Sequence, residues 1–228
     1  MAVYVISDIH GCFREYRALL EEMPLTERDR LYLLGDAMDR GPEPLRVMLD
    51  LMRRENVTYL LGNHDYLMLS VLRKAQRQED TSAALAEWAD NGGMATLEEY
   101  LALPAGTQNA VWKYLCRAPA YAEVRCGKNF FTLVHAGLPN FSEEKPLADY
   151  PVDSLVWDRV DYERRYFRDP HHFLVTGHTP TPLIRQDRRP LIFEKNGHIA
   201  LDCGCVFGGR LAAYCLDTGK ITYVSRGG

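Results

Sequence analysis

Side chains able to bind metal ions recur in five short motifs along this sequence. Each motif combines carboxylate, imidazole or amide groups with a glycine or another turn-forming residue. In chain order they are Asp8-Ile9-His10-Gly11, Gly35-Asp36-Ala37-Met38-Asp39-Arg40-Gly41, Gly62-Asn63-His64-Asp65, His135-Ala136-Gly137 and Gly177-His178-Thr179. Hard oxygen donors mixed with imidazole nitrogen suit Mn, Fe or Zn better than Ca, which takes oxygen ligands alone. The motifs therefore indicate transition-metal chemistry, provided that the fold brings them together.

The first three motifs each follow a short apolar run of the kind that forms a buried strand. These runs cover residues 3–6, 31–34 and 57–61, and they are nearly continuously apolar, as strands buried on both faces are. Helical patterns over 13–22 and 43–54 separate them. This βαβαβ order predicts a parallel sheet. Because the carboxyl ends of parallel strands lie at one edge of a sheet, we expect the three motifs to meet there.

The rest of the chain contains a helical segment followed by further strands. Helical patterns cover 67–77, 81–89, 96–101 and 107–117, which predicts a helical insertion over about 66–117. Strand patterns cover 130–134, 173–175, 191–194, 199–201, 211–215 and 221–224, and Asn196-Gly197 predicts a hairpin turn. No linker divides the sequence, so we expect one α/β domain over 1–228 with an antiparallel C-terminal part.

The donor groups suffice for two metal ions. Two ions about 3.5 to 4 Å apart need a bridging carboxylate and a bridging water, whose pKa falls far enough to supply hydroxide near neutral pH. Asp36 is the candidate for the bridge. Asp8 and His10 would complete the protein ligands of one ion, and those of the other would be Asn63, His135 and His178.

In this order, the five motifs resemble those of the calcineurin-like metallophosphoesterase superfamily. The Asp39-Arg40-Gly41 ending and the chain length are similar to those of bacterial and phage PPP-type protein phosphatases and of the related symmetrical diadenosine tetraphosphate hydrolases. The similarity continues through residues 201–204 and 207–209. It implies a central β-sandwich of mixed sheets, flanked by helices and carrying a helical insertion.

The resemblance also implies a role for each site residue. It assigns one metal ion to Asp8, His10 and Asp36, and a second ion to Asp36, Asn63, His135 and His178. His64 matches the proton donor to the leaving oxygen, Asp39 the carboxylate that orients it, and Arg40 a phosphate-binding arginine. Arg159, in a looser pattern, is the candidate for a second such arginine. The implied reaction is a one-step, in-line attack by hydroxide, so Cys12 is not required as a nucleophile.

Three functions are compatible with these residues. The first is a protein phosphatase acting on phosphoserine or phosphothreonine, and also on phosphotyrosine if its specificity is dual, with two divalent ions, Mn in preference to Fe or Zn. The second is hydrolysis of dinucleoside polyphosphates, which stays open because Asp65 stands where many protein phosphatases have Glu. The third is a non-catalytic, metal-binding regulatory domain, whose signature would be a missing ligand or proton donor.

Composition restricts the partners and the cellular setting. A formal net charge of −4 gives no global basic field, so we expect no long nucleic acid partner, and a phosphoprotein or a phosphorylated small molecule is the expected substrate. No apolar run approaches the roughly 20 residues that span a bilayer, and the apolar start fits a first strand better than a signal peptide. Six scattered cysteines without a paired motif fit a reducing cytoplasm. The oligomeric state stays open.

Other polar residues are expected to have structural roles. Asp65 would cap a helix that begins near Tyr66, and Asp202 would brace the floor of the site. His171, His172 and His198 lack a motif and are expected to be solvated or locally hydrogen-bonded. Residues 204–209 are expected to form a close-packed connection between strands, and the Leu, Trp and Tyr residues of the helical segment to belong mainly to the core.

Overall fold

The computed structural model describes residues 1–227, and its first sheet contains the three predicted N-terminal strands. These are β1 (Val3–Ile6), β2 (Arg30–Leu33) and β3 (Val57–Tyr59), joined by β9 (Arg210–Cys215) and β10 (Ile221–Ser225) in the order β10-β9-β1-β2-β3. The pairs β1–β2 and β2–β3 are parallel, whereas β1–β9 and β9–β10 are antiparallel. The parallel arrangement of the first three strands is thereby confirmed.

The second sheet also has five strands. They are β4 (Tyr121–Cys126), β5 (Asn129–Val134), β6 (His172–Thr176), β7 (Phe193–Lys195) and β8 (His198–Ala200), in the order β4-β5-β6-β8-β7. The pairs β5–β6 and β6–β8 are parallel, so the predicted antiparallel C-terminal part is wrong for these strands, and it is right for β7–β8 and β9–β10. Asn196 and Gly197 turn the β7–β8 hairpin, both with positive φ (53° and 75°), as a two-residue turn requires.

The two sheets pack face to face around one buried apolar cluster. Val5 and Leu34 from the first sheet region meet Leu133, Val175 and Ile199 from the second, all at most 2% exposed. This arrangement confirms the predicted sandwich of mixed sheets.

Helices cover the outer faces of the sandwich. They are α1 (Phe13–Glu22), α2 (Pro44–Leu51), α3 (Asn63–Gln76), α4 (Ser82–Asp90), α5 (Met94–Ala102), α6 (Ala105–Arg117) and α7 (Val152–Trp157). Helices α3 to α6 form the predicted helical insertion. Within residues 1–227, no helix is long and apolar enough to cross a membrane.

Helix α3 begins at Asn63, so the prediction of a start near Tyr66 is wrong. Strand β3 ends at Tyr59, and the motif that follows it is already part of the first helical turn. The Asp65 carboxylate accepts a hydrogen bond from the backbone N–H of Gly62 (2.9 Å), the residue that precedes the helix. Asp65 therefore caps α3 from inside its first turn.

Candidate metal centre

The loops that leave five strands converge at one edge of the sandwich. Asp8 and His10 follow β1, Asp36 follows β2 and Asn63 begins the helix after β3. The second sheet contributes His135 after β5 and His178 after β6. Of these six predicted ligand residues, His178 is partly exposed and the other five are buried.

Asp36 lies at the middle of this group. Its Oδ2 is 3.4 Å from His135 Nε2 and 3.6 Å from His10 Nε2. Donor atoms of Asp8, Asp36 and His135 all lie within 4.8 Å of one another. A carboxylate flanked on both sides by imidazoles is suitably placed to bridge two ions.

The hydrogen bonding of His135 indicates a cation between the side chains. Its Nδ1–H donates to the Leu34 carbonyl (2.5 Å), so in the neutral ring Nε2 carries a lone pair. That lone pair faces two further acceptors, Asn63 Oδ1 at 2.9 Å and Asp36 Oδ2 at 3.4 Å. Three acceptors directed at one another repel unless a positive ion lies among them. A backbone carbonyl that fixes the tautomer of a metal-binding histidine is a common supporting contact.

His10 is oriented in the same way. Its Nδ1–H donates to the Met38 carbonyl (2.9 Å), and its Nε2 accepts a hydrogen bond from Arg40 Nη1 (2.9 Å). Burial lowers the pKa of His10 and His135 well below the ordinary value, and neighbouring imidazoles lower each further. Both rings are therefore neutral near pH 7, which is the form that binds metal ions.

The carboxylates of the site form a buried concentration of negative charge. Burial raises the pKa of Asp8 well above the ordinary value, and the nearby Asp202 raises it further. Burial also raises the pKa of Asp36, with added contributions from Asp8 and Asp65. Buried carboxylates are stable in the ionised form only beside positive charge. The donor set thus fits divalent cations both in ligand chemistry and in charge.

The backbone at the site adopts a conformation that L-residues rarely take. Asp8 (φ 51°), His10 (46°), Asp36 (55°) and His178 (64°) all lie in the left-handed region. Such residues cost of order 1–3 kcal/mol each and occur mainly where function requires a particular side-chain direction.

A second pair of side chains lies beside Asp36. His64 Nδ1–H donates to Asp39 Oδ2 (2.7 Å), and both residues are buried. His64 Nε2 is 4.0 Å from Asp36 Oδ2 and finds no hydrogen-bond partner within the described residues 1–227. A buried ring nitrogen without a partner is unusual and calls for one, such as a water molecule or a ligand at the site.

Asp39 is held by two residues that the sequence did not single out. Trp88 Nε1–H donates to Asp39 Oδ2 (2.7 Å), and the Thr96 hydroxyl donates to Asp39 Oδ1 (2.5 Å). Both come from the helical insertion, where tryptophan was expected to serve mainly as core. Trp88 is completely buried, but its indole N–H also serves the site.

A cleft of about 760 Å³ opens above the centre. Both predicted phosphate-binding arginines, Arg40 and Arg159, line it. Its walls are largely apolar and include Trp157, Pro180, Pro182, Leu183, Pro190 and Phe207. Leu183 and Phe207 are unusually exposed for apolar residues, at 71% and 65%.

Most residues expected to be structural take such roles. His198 is buried and bonds Thr176 Oγ1 (2.8 Å), which agrees with the expectation of a solvated or locally bonded histidine. The segment 204–209 connects β8 to β9, but it is not close-packed throughout, because Phe207 projects into the cleft. Asp202 accepts a hydrogen bond from the Gly204 N–H (2.8 Å), which agrees with a bracing role.

Known proteins provide an independent comparison. Residues 1–228 match the family of calcineurin-like phosphoesterases. Serine/threonine-protein phosphatase 1 of Salmonella typhimurium is 30% identical over 92% of this chain and 89% of its own length. A symmetrical bis(5'-nucleosyl)-tetraphosphatase of Pseudomonas putida is 32% identical over 96% of this chain and 91% of its own. A solved protein with a provisional diadenosine tetraphosphatase assignment shares the fold, with a TM-score of 0.69, 24% identity and coverage of 98% and 93%.

Proposed function

This chain belongs to the calcineurin-like phosphoesterase family, a family of metal-dependent hydrolases, and within it we propose that the protein is a phosphomonoesterase acting on phosphoserine and phosphothreonine in proteins. The observation that carries the proposal is the position of the His64–Asp39 pair beside Asp36, with His64 Nε2 unpaired. A proton donor next to a bridging carboxylate is what ester cleavage needs.

We assign two divalent ions to the centre. Asp8, His10 and Asp36 would hold one ion, and Asp36, Asn63, His135 and His178 the other. When bound, the ions supply charge neutralisation for the phosphate and lower the pKa of water to the point where hydroxide is available near neutral pH. Mixed carboxylate, amide and imidazole donors favour Mn, with Fe or Zn as alternatives.

His64 provides the proton for the leaving group from Nε2 of its imidazolium form, because its Nδ1–H stays bonded to Asp39. Burial lowers its pKa, and the hydrogen bond from Nδ1 to Asp39 opposes that effect. Asp39 also fixes the ring orientation, which leaves Nε2 as the atom that faces the substrate. Protonation of the ester oxygen as the bond breaks contributes roughly 10²- to 10⁴-fold in comparable reactions.

Arg40 and Arg159 provide positive charge for the phosphate. Arg40 Nη1 donates a hydrogen bond to His10 Nε2, the atom whose lone pair would bind a metal ion. With His10 Nε2 committed to a metal ion, the Arg40 guanidinium would be free to bind phosphate oxygens in a bidentate manner. Arg159 lies on the same cleft and would bind from the other side.

The charge and the openness of the cleft suit a phosphate group on a protein surface. Arg40 and Arg159 are the cationic side chains among the described residues that line it. Two arginines beside two metal ions would supply positive charge on both sides of a bound phosphate group. Arg40 is exposed and His178 partly exposed, so a phosphorylated side chain on a protein surface can reach the centre.

A second candidate is hydrolysis of dinucleoside polyphosphates. The apolar wall supports it, because Phe207 is exposed in the cleft, 5.5 Å from the Arg40 guanidinium, and offers an aromatic ring on which a nucleobase can stack. The Pseudomonas putida relative carries this activity in its name.

A paired substrate panel tests the proposal. We expect the Mn-loaded protein to hydrolyse a phosphothreonine peptide with a higher kcat/KM than diadenosine tetraphosphate, and Asp36→Asn to lose both activities. A strong preference for diadenosine tetraphosphate would replace the first candidate by the second. Undiminished hydrolysis by both Asp36→Asn and His64→Asn would exclude this site.

A further inference from the structure

The segment from Trp88 to Thr96, here called the brace segment, holds the turn that carries Asp39 and Arg40. It includes the end of α4, the connection over 91–93 and the start of α5. The brace segment belongs to the helical insertion, while Asp39 lies on the loop after β2. The two are separated by about 50 residues in the chain, but they meet through four hydrogen bonds.

Three of these hydrogen bonds involve Asp39 itself. Trp88 Nε1–H donates to Oδ2 (2.7 Å) and Thr96 Oγ1–H donates to Oδ1 (2.5 Å). The Thr96 hydroxyl also accepts from the Asp39 backbone N–H (3.1 Å). With His64 Nδ1–H as a further donor, both carboxylate oxygens are occupied and point in fixed directions.

The fourth hydrogen bond holds the backbone. The Arg40 N–H donates to the Gly92 carbonyl (3.1 Å). Asp39 (φ 66°) and Arg40 (φ 64°) are both left-handed, a conformation that persists only when surrounding contacts enforce it. A Cβ on Gly93 would overlap the Trp88 indole ring, so the indole can reach Asp39 only with glycine at that position.

We propose that Trp88 and Thr96 are positioning residues for proton transfer: they hold Asp39 so that His64 keeps its proton donor directed at the leaving oxygen. The inference rests on the proposed function, in which His64 is the proton donor. According to this proposal, the helical insertion helps to position the Asp39–His64 pair for proton transfer. Neither residue contacts the substrate, because both are completely buried behind Asp39.

Leaving-group dependence separates positioning from a merely structural role. Phenolate is a poor leaving group that needs a proton, whereas 2,4-dinitrophenolate departs without one. A fault in proton donation therefore lowers hydrolysis of phenyl phosphate more than that of 2,4-dinitrophenyl phosphate. The ratio of the two kcat/KM values, measured on one preparation, does not depend on the fraction of folded protein.

The experiment compares Mn-loaded wild type with Trp88→Phe and Thr96→Val. Phe lacks the indole N–H, and Val keeps the shape of Thr without its hydroxyl. We expect the phenyl to dinitrophenyl ratio to fall roughly tenfold in each, because displaced proton donation removes part of its ~10²- to 10⁴-fold contribution. Thr96→Ser restores the hydroxyl and should restore the ratio. Trp112→Phe is the matched control, because Trp112 lies on α6 outside the cleft lining.

Each outcome bears on one claim. Equal losses on both esters, or an unchanged ratio in Trp88→Phe and Thr96→Val, would overturn the positioning role while leaving the proposed function intact. Absence of Mn-dependent hydrolysis of either ester by wild type would instead count against the proposed function. If one variant does not fold, the other provides the same ratio.

Discussion

Replacing Gly177 with alanine should disrupt the metal centre without altering any candidate ligand. Gly177 follows β6 and precedes His178, and its N–H donates to the His135 carbonyl (2.8 Å). A Cβ at this position would overlap Ser7 Oγ and Asp8 Oδ2. Because the His178 N–H also donates to Asp8 Oδ2 (3.0 Å), the carboxylate has little room to adjust without losing a partner.

The size of the effect follows from the overlap. The new Cβ would lie 2.1 Å from Asp8 Oδ2, so the carboxylate must move by about 1.3 Å to restore an ordinary van der Waals separation. Misplacement of a reacting or ligating group by 1 Å costs on the order of 10²-fold in rate, or about 2.7 kcal/mol in the barrier. We therefore expect kcat/KM for p-nitrophenyl phosphate to fall about 100-fold.

Metal content provides the second measurement. Inductively coupled plasma mass spectrometry on dialysed protein should find that Gly177→Ala binds one ion fewer than wild type. Gly106→Ala is the matched control, because a Cβ there meets nothing within 4 Å and alanine favours α6. Normal metal content and normal kcat/KM in Gly177→Ala would refute the assignment of Asp8 as a ligand held in place by this close approach.

Three further predictions concern charge, pH and the cleft. Because burial raises the pKa of Asp36, its ionised form destabilises the metal-free fold as pH rises. At pH 8, Asp36→Asn should therefore have a higher Tm than wild type with chelator and a lower Tm than wild type with Mn. An equal rise in Tm on adding Mn to both proteins would contradict this. Burial lowers the pKa of His198 to about 3, so its contribution to stability is lost as pH falls below the unfolded value of about 6.5. Between pH 6.5 and 5, the free energy of unfolding measured in urea should fall by about 2 kcal/mol more for wild type than for His198→Gln. Equal losses in the two proteins would count against this role of His198. Phe207→Ala should lower kcat/KM for diadenosine tetraphosphate about tenfold, since base stacking contributes ~1–3 kcal/mol, and should change kcat/KM for a phosphothreonine peptide little. Equal losses on the two substrates would argue against stacking.

The parts of the fold that could be predicted are those with a strong local pattern. Strand β1 and helix α1 have their predicted bounds, because a continuous apolar run and a helical repeat stand between clear turn residues. Strand β4 was missed since its exposed Glu123 and Arg125 break the apolar pattern. Helix α7, with six residues, is too short to show a repeat.

The parallel pairing of the second sheet could not be predicted for a different reason. Strands β6 and β8 pair in parallel across the segment 177–197, which contains β7 and no long helix. A helical pattern between two strands usually indicates that they pair in parallel, and the described segment between β6 and β8 has no such helix.

The same distinction applies to the site. The predicted metal ligands follow strands and lie in short motifs, so their convergence could be expected from the sheet alone. Trp88 and Thr96 lie 49 and 57 residues from Asp39 in sequence, and no local pattern relates them to it. Their role depends on how the helical insertion packs against the β2 loop, which is a tertiary property.

Titration of Mn into chelator-treated protein tests the central claim most directly. Hydrolysis of p-nitrophenyl phosphate should be absent without metal, rise with added Mn and saturate at about two equivalents per chain, as a dinuclear centre requires. Asp36→Asn, which removes the proposed bridge, should show no such recovery. Hydrolysis that survives chelation, or an Asp36→Asn titration that matches wild type, would contradict a dinuclear phosphoesterase centre at this edge of the sandwich.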